Sequence, residues 1–143
     1  MKTIKRSIAL VLAMILTLAM SVTVFAAPNA DQNTFSLTLN KAVKGHTYEA
    51  YQILSGDLSA DKATLSNIKW GEGITEAGQT ALGGDAASYA EKLGGFGNNS
   101  SELKEQAQII GANLASASGS VTVTDSDAKN VISNLKPGYY LIK

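Results

Sequence analysis

Residues 44–70 read KGHTYEAYQILSGDLSADKATLSNIKW, and this stretch decides the fold that we predict for the chain. Residues 47–54 alternate, so that Tyr48, Ala50 and Gln52 fall on one face and the residues between them fall on the other. A period of two in a run with aromatic and β-branched residues predicts a β-strand.

The second half of this stretch predicts a turn and an answering strand. The sequence Ser-Gly-Asp at 55–57 is expected to end the strand at 47–54, and residues 58–62 are expected to form a polar loop. Residues 64–70 then present spaced apolar residues that finish with Trp70. The stretch therefore predicts a strand–loop–strand unit, in which Trp70 and Tyr51 are core residues.

Four further segments have the pattern of strands or of the turns that join them. Residues 35–40 (FSLTLN) and 120–124 (SVTVT) alternate, and residues 129–135 carry spaced apolar side chains. A Lys-Pro-Gly turn precedes the apolar segment at 139–142, and we expect Gly138 to supply a positive φ there. These segments flank a region of a different character.

The region between the strands predicts helices. Residues 75–82 and 85–93 form two short candidates among many glycines, and Asp85 is the expected N-cap of the second. Residues 99–115 form the longest candidate, with apolar residues at helical spacing. Asn99 is its expected N-cap, and the glutamate three residues later would complete a capping box.

The order of strands, then helices, then strands predicts a mainly β fold with a helical insertion. An immunoglobulin-like β-sandwich is the expected architecture. Because the sequence stops inside the apolar segment at 139–142, we expect this sandwich to be incomplete at its C-terminal strand and the chain to be a fragment of a longer protein.

Residues 1–26 have the pattern of a secretory signal peptide. Three basic residues precede a long apolar run, and small residues follow it, so that cleavage is expected between Ala26 and Ala27. A retained membrane anchor is the alternative, because the apolar run is nearly long enough to span a bilayer. Residues 27–34 would then be a short polar leader, and residues 35–143 a single truncated domain.

Charge and composition exclude several classes of function. The chain has 12 basic and 12 acidic residues, and three of the basic ones lie in the signal peptide. The remainder is mildly acidic and contains no arginine, which disfavours nucleic acid and anionic membranes as partners. The chain also contains no cysteine, so an exported domain of this sequence folds without disulfides.

No motif for catalysis or cofactor binding is present. His46 is the one histidine, which removes histidine triads and multi-histidine metal sites from consideration, and it is expected in a turn. The acid pairs Asp57 with Asp61 and Asp125 with Asp127 lack the spacing of a calcium loop. We therefore predict no enzyme, no cofactor and no metal site.

Two separated blocks of the sequence carry a resemblance to a known family. They are GHTYEAYQILSGDLS with LSNIKWG, within residues 45–71, and NLKPGYYLIK at 134–143. In this order they resemble the N-terminal domain of the backbone pilins of Gram-positive bacteria, which sortase assembles and which form isopeptide bonds. The resemblance implies a structural subunit of a fimbria that is secreted and held at the cell surface or cell wall. Its implied partners are other pilin subunits and, in the full-length protein, sortase.

The resemblance also implies where covalent chemistry belongs. The family's polymerisation lysine lies in a pilin motif after the first domain, and its sorting signal lies at the far end; neither motif occurs in these 143 residues. An intramolecular isopeptide bond needs a buried lysine with an amide or acid partner. Lys41, at the end of the first predicted strand, is the one candidate, and its partner would lie in a strand beyond this sequence.

A minor or tip pilin, or a surface adhesin that binds a host protein or glycan, is the alternative function. Aromatic side chains could stack on sugars if they formed an exposed platform. The residues available for such a platform are Tyr48, Tyr51, Trp70, Tyr139 and Tyr140.

Overall fold

A computed structural model describes residues 34–143, and more of these residues lie in strands than in helices. The three helices lie between the third and fourth strands, so the predicted mainly β fold with a helical insertion is confirmed. The predicted signal peptide, its cleavage site at Ala26 and Ala27, and nearly all of the polar leader lie outside the described residues. The elements are β1 (Phe35–Leu39), β2 (Thr47–Leu58), β3 (Leu65–Trp70), α1 (Glu76–Ala81), α2 (Ala86–Gly94), α3 (Ser101–Gly111), β4 (Gly119–Thr122), β5 (Asn130–Leu135) and β6 (Gly138–Ile142).

The long strand β2 is the centre of the larger sheet. β4 pairs with its residues 47–50 and β3 with its residues 54–58, and β6 pairs with residues 50–55. All three pairings are antiparallel. A strand has two edges, so β3 and β4 share one edge of β2 in succession while β6 occupies the other.

A second, two-stranded sheet consists of β1 and β5 in antiparallel pairing. A small core lies between it and the central sheet, with Ala50 and Ile132 buried almost completely. Leu135 is the third buried member, and the half-buried residues packed against this cluster are Leu37, Val121, Tyr140 and Ile142.

The helices cover the opposite face of the central sheet. Tyr51 and Ile53 extend from β2 into this second core, where they meet Tyr89 of α2 and Ile110 of α3. Successive side chains of a strand point to opposite faces, which explains why Ala50 belongs to one core and Tyr51 to the other. The central sheet is therefore the middle layer between the helices and the smaller sheet.

The prediction that β2 ends at residues 55–57 is wrong, because the strand continues to Leu58. Its pairing with β3 shifts register between Ser55 and Asp57, and its pairing with β6 shifts between Gln52 and Leu54. Such shifts are β-bulges, which bend a strand without ending it. The Ser-Gly-Asp sequence was expected to end the strand, but it forms a β-bulge within it.

The predicted helices are confirmed, but one N-cap is wrong. Asp85 caps α2 as expected, since its carboxylate accepts a hydrogen bond from Ser88 N. For α3 the cap is Ser100, whose Oγ accepts a hydrogen bond from Leu103 N at 3.1 Å. Asn99 precedes the helix with a left-handed φ of 60°. Because α3 starts one residue later than a cap at Asn99 requires, the following glutamate is too early in the helix to close a capping box.

Candidate binding cleft

A cleft of about 570 Å³ opens where the bulged end of β2 meets the turn between β5 and β6. Both sheets contribute to it, because β2 belongs to the central sheet and β5 to the smaller one. Its polar side chains come from four separate segments of the chain, namely Thr34, then Gln52, Ser55 and Asp57, then Glu72, and finally Asn134 and Lys136.

Gln52 is the buried polar side chain at this cleft, and 6% of its surface is exposed. Its Nε2 donates a hydrogen bond of 3.0 Å to the carbonyl oxygen of Pro137. A buried amide without such a partner would be costly, so this bond stabilises one arrangement of strand and turn. Gln52 therefore links the centre of β2 to the start of β6.

Three glycines allow the backbone to pass close to Gln52. A β-carbon at Gly71 would collide with the carbonyl of Gln52, and one at Gly73 would lie 2.5 Å from the backbone nitrogen of Gln52. A β-carbon at Gly138 would collide with the carbonyl oxygen of Leu54. Real β-carbons do not approach backbone atoms this closely, so these positions require glycine for space.

This close approach corrects the role expected for Gly138. We predicted that it supplies a positive φ in the Lys-Pro-Gly turn, but its φ does not lie in the left-handed region, and the residue belongs to β6. The left-handed residue of this region is Asn134, with a φ of 60°. Gly138 is needed for its lack of a side chain, which lets β6 start beside β2.

The charged groups of the cleft are exposed. Asp57, Glu72 and Lys136 all lie at its surface, and the carboxylate of Asp57 accepts a hydrogen bond of 2.7 Å from the amide of Asn67. Charges that remain in water keep most of their hydration and interact weakly with one another. The cleft therefore offers a polar ligand charged groups of both signs, each able to form hydrogen bonds.

The acids that we considered as cation ligands order their own loops instead. Asp61 accepts hydrogen bonds from the hydroxyl of Ser59 and from Ala63 N, and these bonds hold the pKa of its carboxyl below the ordinary value. Asp125 accepts a hydrogen bond of 3.0 Å from Asp127 N. Within residues 34–143, no group of three or more His, Cys, Asp or Glu side chains could hold a metal ion.

Lys41 lies in the turn after β1, is exposed and has a left-handed φ of 59°. The other eight lysines of the described region are exposed as well. Isopeptide formation needs the neutral amine that burial favours. The assignment of Lys41 as an isopeptide lysine stays a prediction, and its position within residues 34–143 does not supply that burial.

Four of the five aromatic residues considered for sugar stacking are divided between the two cores, and Tyr48 belongs to neither. Tyr51 is buried, as predicted, and its hydroxyl donates to Glu49. Trp70 is half-buried: its ring centre lies 5.4 Å from that of Tyr89, and its Nε1 donates to the carbonyl oxygen of Gly84 at 3.0 Å. Tyr140 packs on the opposite side of the central sheet. These side chains therefore do not form one exposed platform.

No family model, no curated protein and no solved structure matches this chain. None of the helices between residues 34 and 143 has the length and apolar character needed to cross a bilayer. With no similar protein to indicate a ligand, the geometry and charges of the cleft are the basis for inferring one.

Sequence reasoning missed the role of Gln52 and of its three glycines. The sequence pattern assigns Gln52 only to one face of a strand and predicts no role for these glycines beside it. One signal was present, because Gln52 is a glutamine in the middle of the run AYQIL, which is otherwise apolar or aromatic. A polar residue at a buried strand position needs a partner, but the pattern could not identify Pro137, which is 85 residues away.

Proposed function

We propose that this chain is part of a structural subunit of a sortase-assembled pilus on the surface of a Gram-positive bacterium. In this proposal it is the N-terminal region of a backbone subunit, and its two sheets correspond to an immunoglobulin-like β-sandwich. The subunit performs no catalysis. It is exported through a signal peptide and joined to the next subunit through parts of a longer gene product.

The observation that supports the proposal is where the two resembling sequence blocks lie in the fold. The first block forms β2 and β3, and the second forms β6 together with the turn before it. β6 pairs with β2 from Ser55 to Ala50, and the backbone of Lys143 exchanges two hydrogen bonds of 3.0 Å with Glu49. Two blocks that lie far apart in the sequence thus form one continuous sheet.

Side-chain contacts connect the same two blocks. The amide of Gln52 in the first block binds the carbonyl of Pro137 in the second. Gly138 of the second block fits against Leu54 of the first, with no room for a side chain. The residues that carry the resemblance therefore depend on one another physically, which supports their interpretation as parts of one domain.

A polymerisation assay tests this proposal. The purified chain is incubated with a class C-type sortase and analysed on a denaturing gel, alone and as part of the longer gene product that the proposal requires. We expect SDS-resistant multimers from the longer product and none from the 143-residue chain, which contains neither the pilin motif nor the sorting signal. A ladder from the 143-residue chain, or no ladder from the longer product, would contradict the proposal.

The cleft supports a second candidate, a minor or tip subunit that binds a host protein or glycan. Its volume of about 570 Å³ and its polar lining suit a polar ligand. Glycan-array binding distinguishes this function, with Glu72→Ala as the variant because Glu72 is exposed and lines the cleft. A tip subunit loses ligand binding in this variant and keeps its stability, whereas a backbone subunit shows no saturable binding before or after the change.

A further inference from the structure

The outer side of β6 is a strand edge with unpaired backbone groups. Glu49 and Lys143 exchange two backbone hydrogen bonds of 3.0 Å between β2 and the end of β6. Bonded pairs alternate along an antiparallel ladder, so the N–H and C=O groups of Tyr140 and Ile142 point away from β2. These four groups have no hydrogen-bond partner among residues 34–143. We refer to them as the β6 edge.

The β6 edge lacks the features that usually keep an exposed strand from pairing. Such edges are commonly protected by charged side chains, by proline or by a bulge. Residues 138–142 read GYYLI and contain neither a charge nor a proline. The register shift of the pairing with β2 lies before Tyr140, so the strand is regular from there to Ile142. The β6 edge can therefore accept a further strand.

An apolar groove lies on the helix side of the same strand. Its volume is about 250 Å³, and β6 contributes Tyr139 and Leu141 to its wall. A strand added to β6 would lie about 4.8 Å away, with every second side chain on the side of Tyr139 and Leu141. The groove thus borders the positions of these side chains. The other apolar residues of its wall come from α2 and α3, namely Leu93, Leu103, Ala107 and Ile110. We refer to this cavity as the α3 groove.

The charges beside the groove and the edge are positive. Lys104 is the one charged residue that lines the groove, and it is exposed. Alternation places the exposed Lys143 on the same face as Leu141. A second copy of β6 carries no acid and would bring a further lysine without a counter-charge. An acidic partner is therefore favoured over a second copy.

We propose that the β6 edge and the α3 groove together bind an extended, acidic segment of a partner protein. The segment would add an antiparallel strand to β6, like every other pairing in this sheet. Its main chain would bind the β6 edge, and its alternate apolar side chains would lie against the α3 groove. In this mode of recognition the main chain supplies affinity and the alternate side chains supply specificity. The site depends on no part of the pilus proposal, and its test is independent of sortase.

The peptide acetyl-Glu-Thr-Val-Thr-Val-Thr-Glu-amide is the probe for this site. Its glutamates and valines share one face as a strand, and its threonines share the other. We expect saturable shifts at β6 and the α3 groove when the peptide is added to the purified chain and followed by two-dimensional NMR. Hydrogen exchange of the Tyr140 and Ile142 amides should slow, because both would donate to the peptide.

Two N-methylated forms of the peptide test the direction of pairing. Directly opposed residues of an antiparallel pair have their side chains on one face and exchange hydrogen bonds together. The threonines would oppose Tyr140 and Ile142, so the threonine N–H groups would point at β6 and the valine N–H groups away from it. N-methylation of two threonines should weaken binding at least tenfold, and N-methylation of the two valines should change it less than about twofold.

Charge reversal tests the assignment of an acidic partner. Lys104→Glu combined with Lys143→Glu should weaken the glutamate peptide about fivefold and strengthen a peptide with lysines in place of its glutamates by a similar factor. Lys69→Glu is the matched control, because Lys69 is exposed and lies on β3, on the other side of β2. This control should bind both peptides as the unaltered chain does.

Three results would overturn the inference: no saturable binding of the peptide, equal losses from the two methylated forms, or affinities that ignore the charge reversal. Two further results would assign the edge elsewhere and also contradict it. Protection of the Tyr140 and Ile142 amides that rises with protein concentration, without peptide, would indicate a second copy of the chain. Protection of both amides in a longer product of the same gene, with no peptide binding, would indicate that the chain covers its own edge.

Discussion

Replacement of Gly73 by alanine tests whether the close approach of two backbone segments holds the centre of the fold together. A β-carbon at this position would lie 2.5 Å from Gln52 N and 2.7 Å from both Gln52 O and the carbonyl carbon of Tyr51. All three atoms belong to the backbone of the central strand, which cannot rotate away as a side chain could. Gly73 N also donates a hydrogen bond of 2.8 Å to Gln52 O, and a shift of the segment would weaken this bond.

The expected cost follows from these contacts. Overpacking of a well-packed site destabilises by about 1–3 kcal/mol, and an immovable backbone neighbour places Gly73→Ala at the upper end. The added methyl also restricts the unfolded chain, and this stabilises the folded state by only about 0.4–1 kcal/mol. We expect a net loss of about 2 kcal/mol or more, which lowers the melting temperature by roughly 10 °C in a domain of this size.

Urea unfolding followed by circular dichroism measures this loss, with Gly97→Ala as the matched control. A β-carbon at Gly97 meets nothing within 4 Å, and its φ is not in the left-handed region. The control should therefore be neutral or slightly more stable. A Gly73→Ala variant as stable as the control would refute the inference that glycine is required there for space.

Three further predictions concern the helix cap, the tyrosines and export. Ser100→Ala should cost about 1 kcal/mol in unfolding experiments, because Ser100 Oγ caps α3, whereas Asn99→Gly should be neutral or stabilising, since glycine accepts the left-handed φ of Asn99. Burial raises the pKa of Tyr140 from 10.0 to about 12. The unfolded chain therefore releases this proton at a lower pH than the folded chain, and the free energy of unfolding should fall as the pH rises from about 10 to 12. Alkaline absorbance titration measures the pKa, and unfolding curves at the same pH values measure the stability. Mass spectrometry of the exported product should find an N-terminus at Ala27 or within a few residues of it.

Each of these expectations has a contrary result. Equal losses from the two α3 variants would mean that Ser100 does not act as the cap. Tyrosine absorbance that titrates fully near pH 10 in the folded chain would place Tyr140 in water. Recovery of an intact Met1 on a membrane-embedded species would support the retained anchor over cleavage.

Most of the secondary structure could be predicted because local pattern determines it. Alternation predicted β1 and β4, and Asp85 was identified as a cap because a carboxylate at that position satisfies an exposed backbone N–H of the helix. Asn99 was misassigned because asparagine and serine are both good caps and stand side by side. Only the backbone conformation, with a left-handed φ at Asn99, decides between them.

The tertiary arrangement could not be predicted in the same way. The bulge at Ser55 and Asp57 depends on pairing with β3, and a Ser-Gly-Asp sequence serves equally well in a turn. The cleft depends on a contact between Gln52 and Pro137, which no local pattern encodes. The burial of Gln106 was likewise invisible, because it stands between Glu105 and Ala107 and no local pattern distinguishes it from the exposed Gln108.

The proposal that this chain belongs to a covalently assembled pilus is tested most directly in the organism that produces it. Antibodies raised against residues 34–143 would be used to probe boiled cell-wall extracts on a denaturing gel, from the unaltered strain and from one that lacks its pilus-assembling sortase. We predict a ladder of high-molecular-mass species in the first strain and a single monomeric species in the second. A monomer in both strains, or a ladder that persists without the sortase, would contradict the claim.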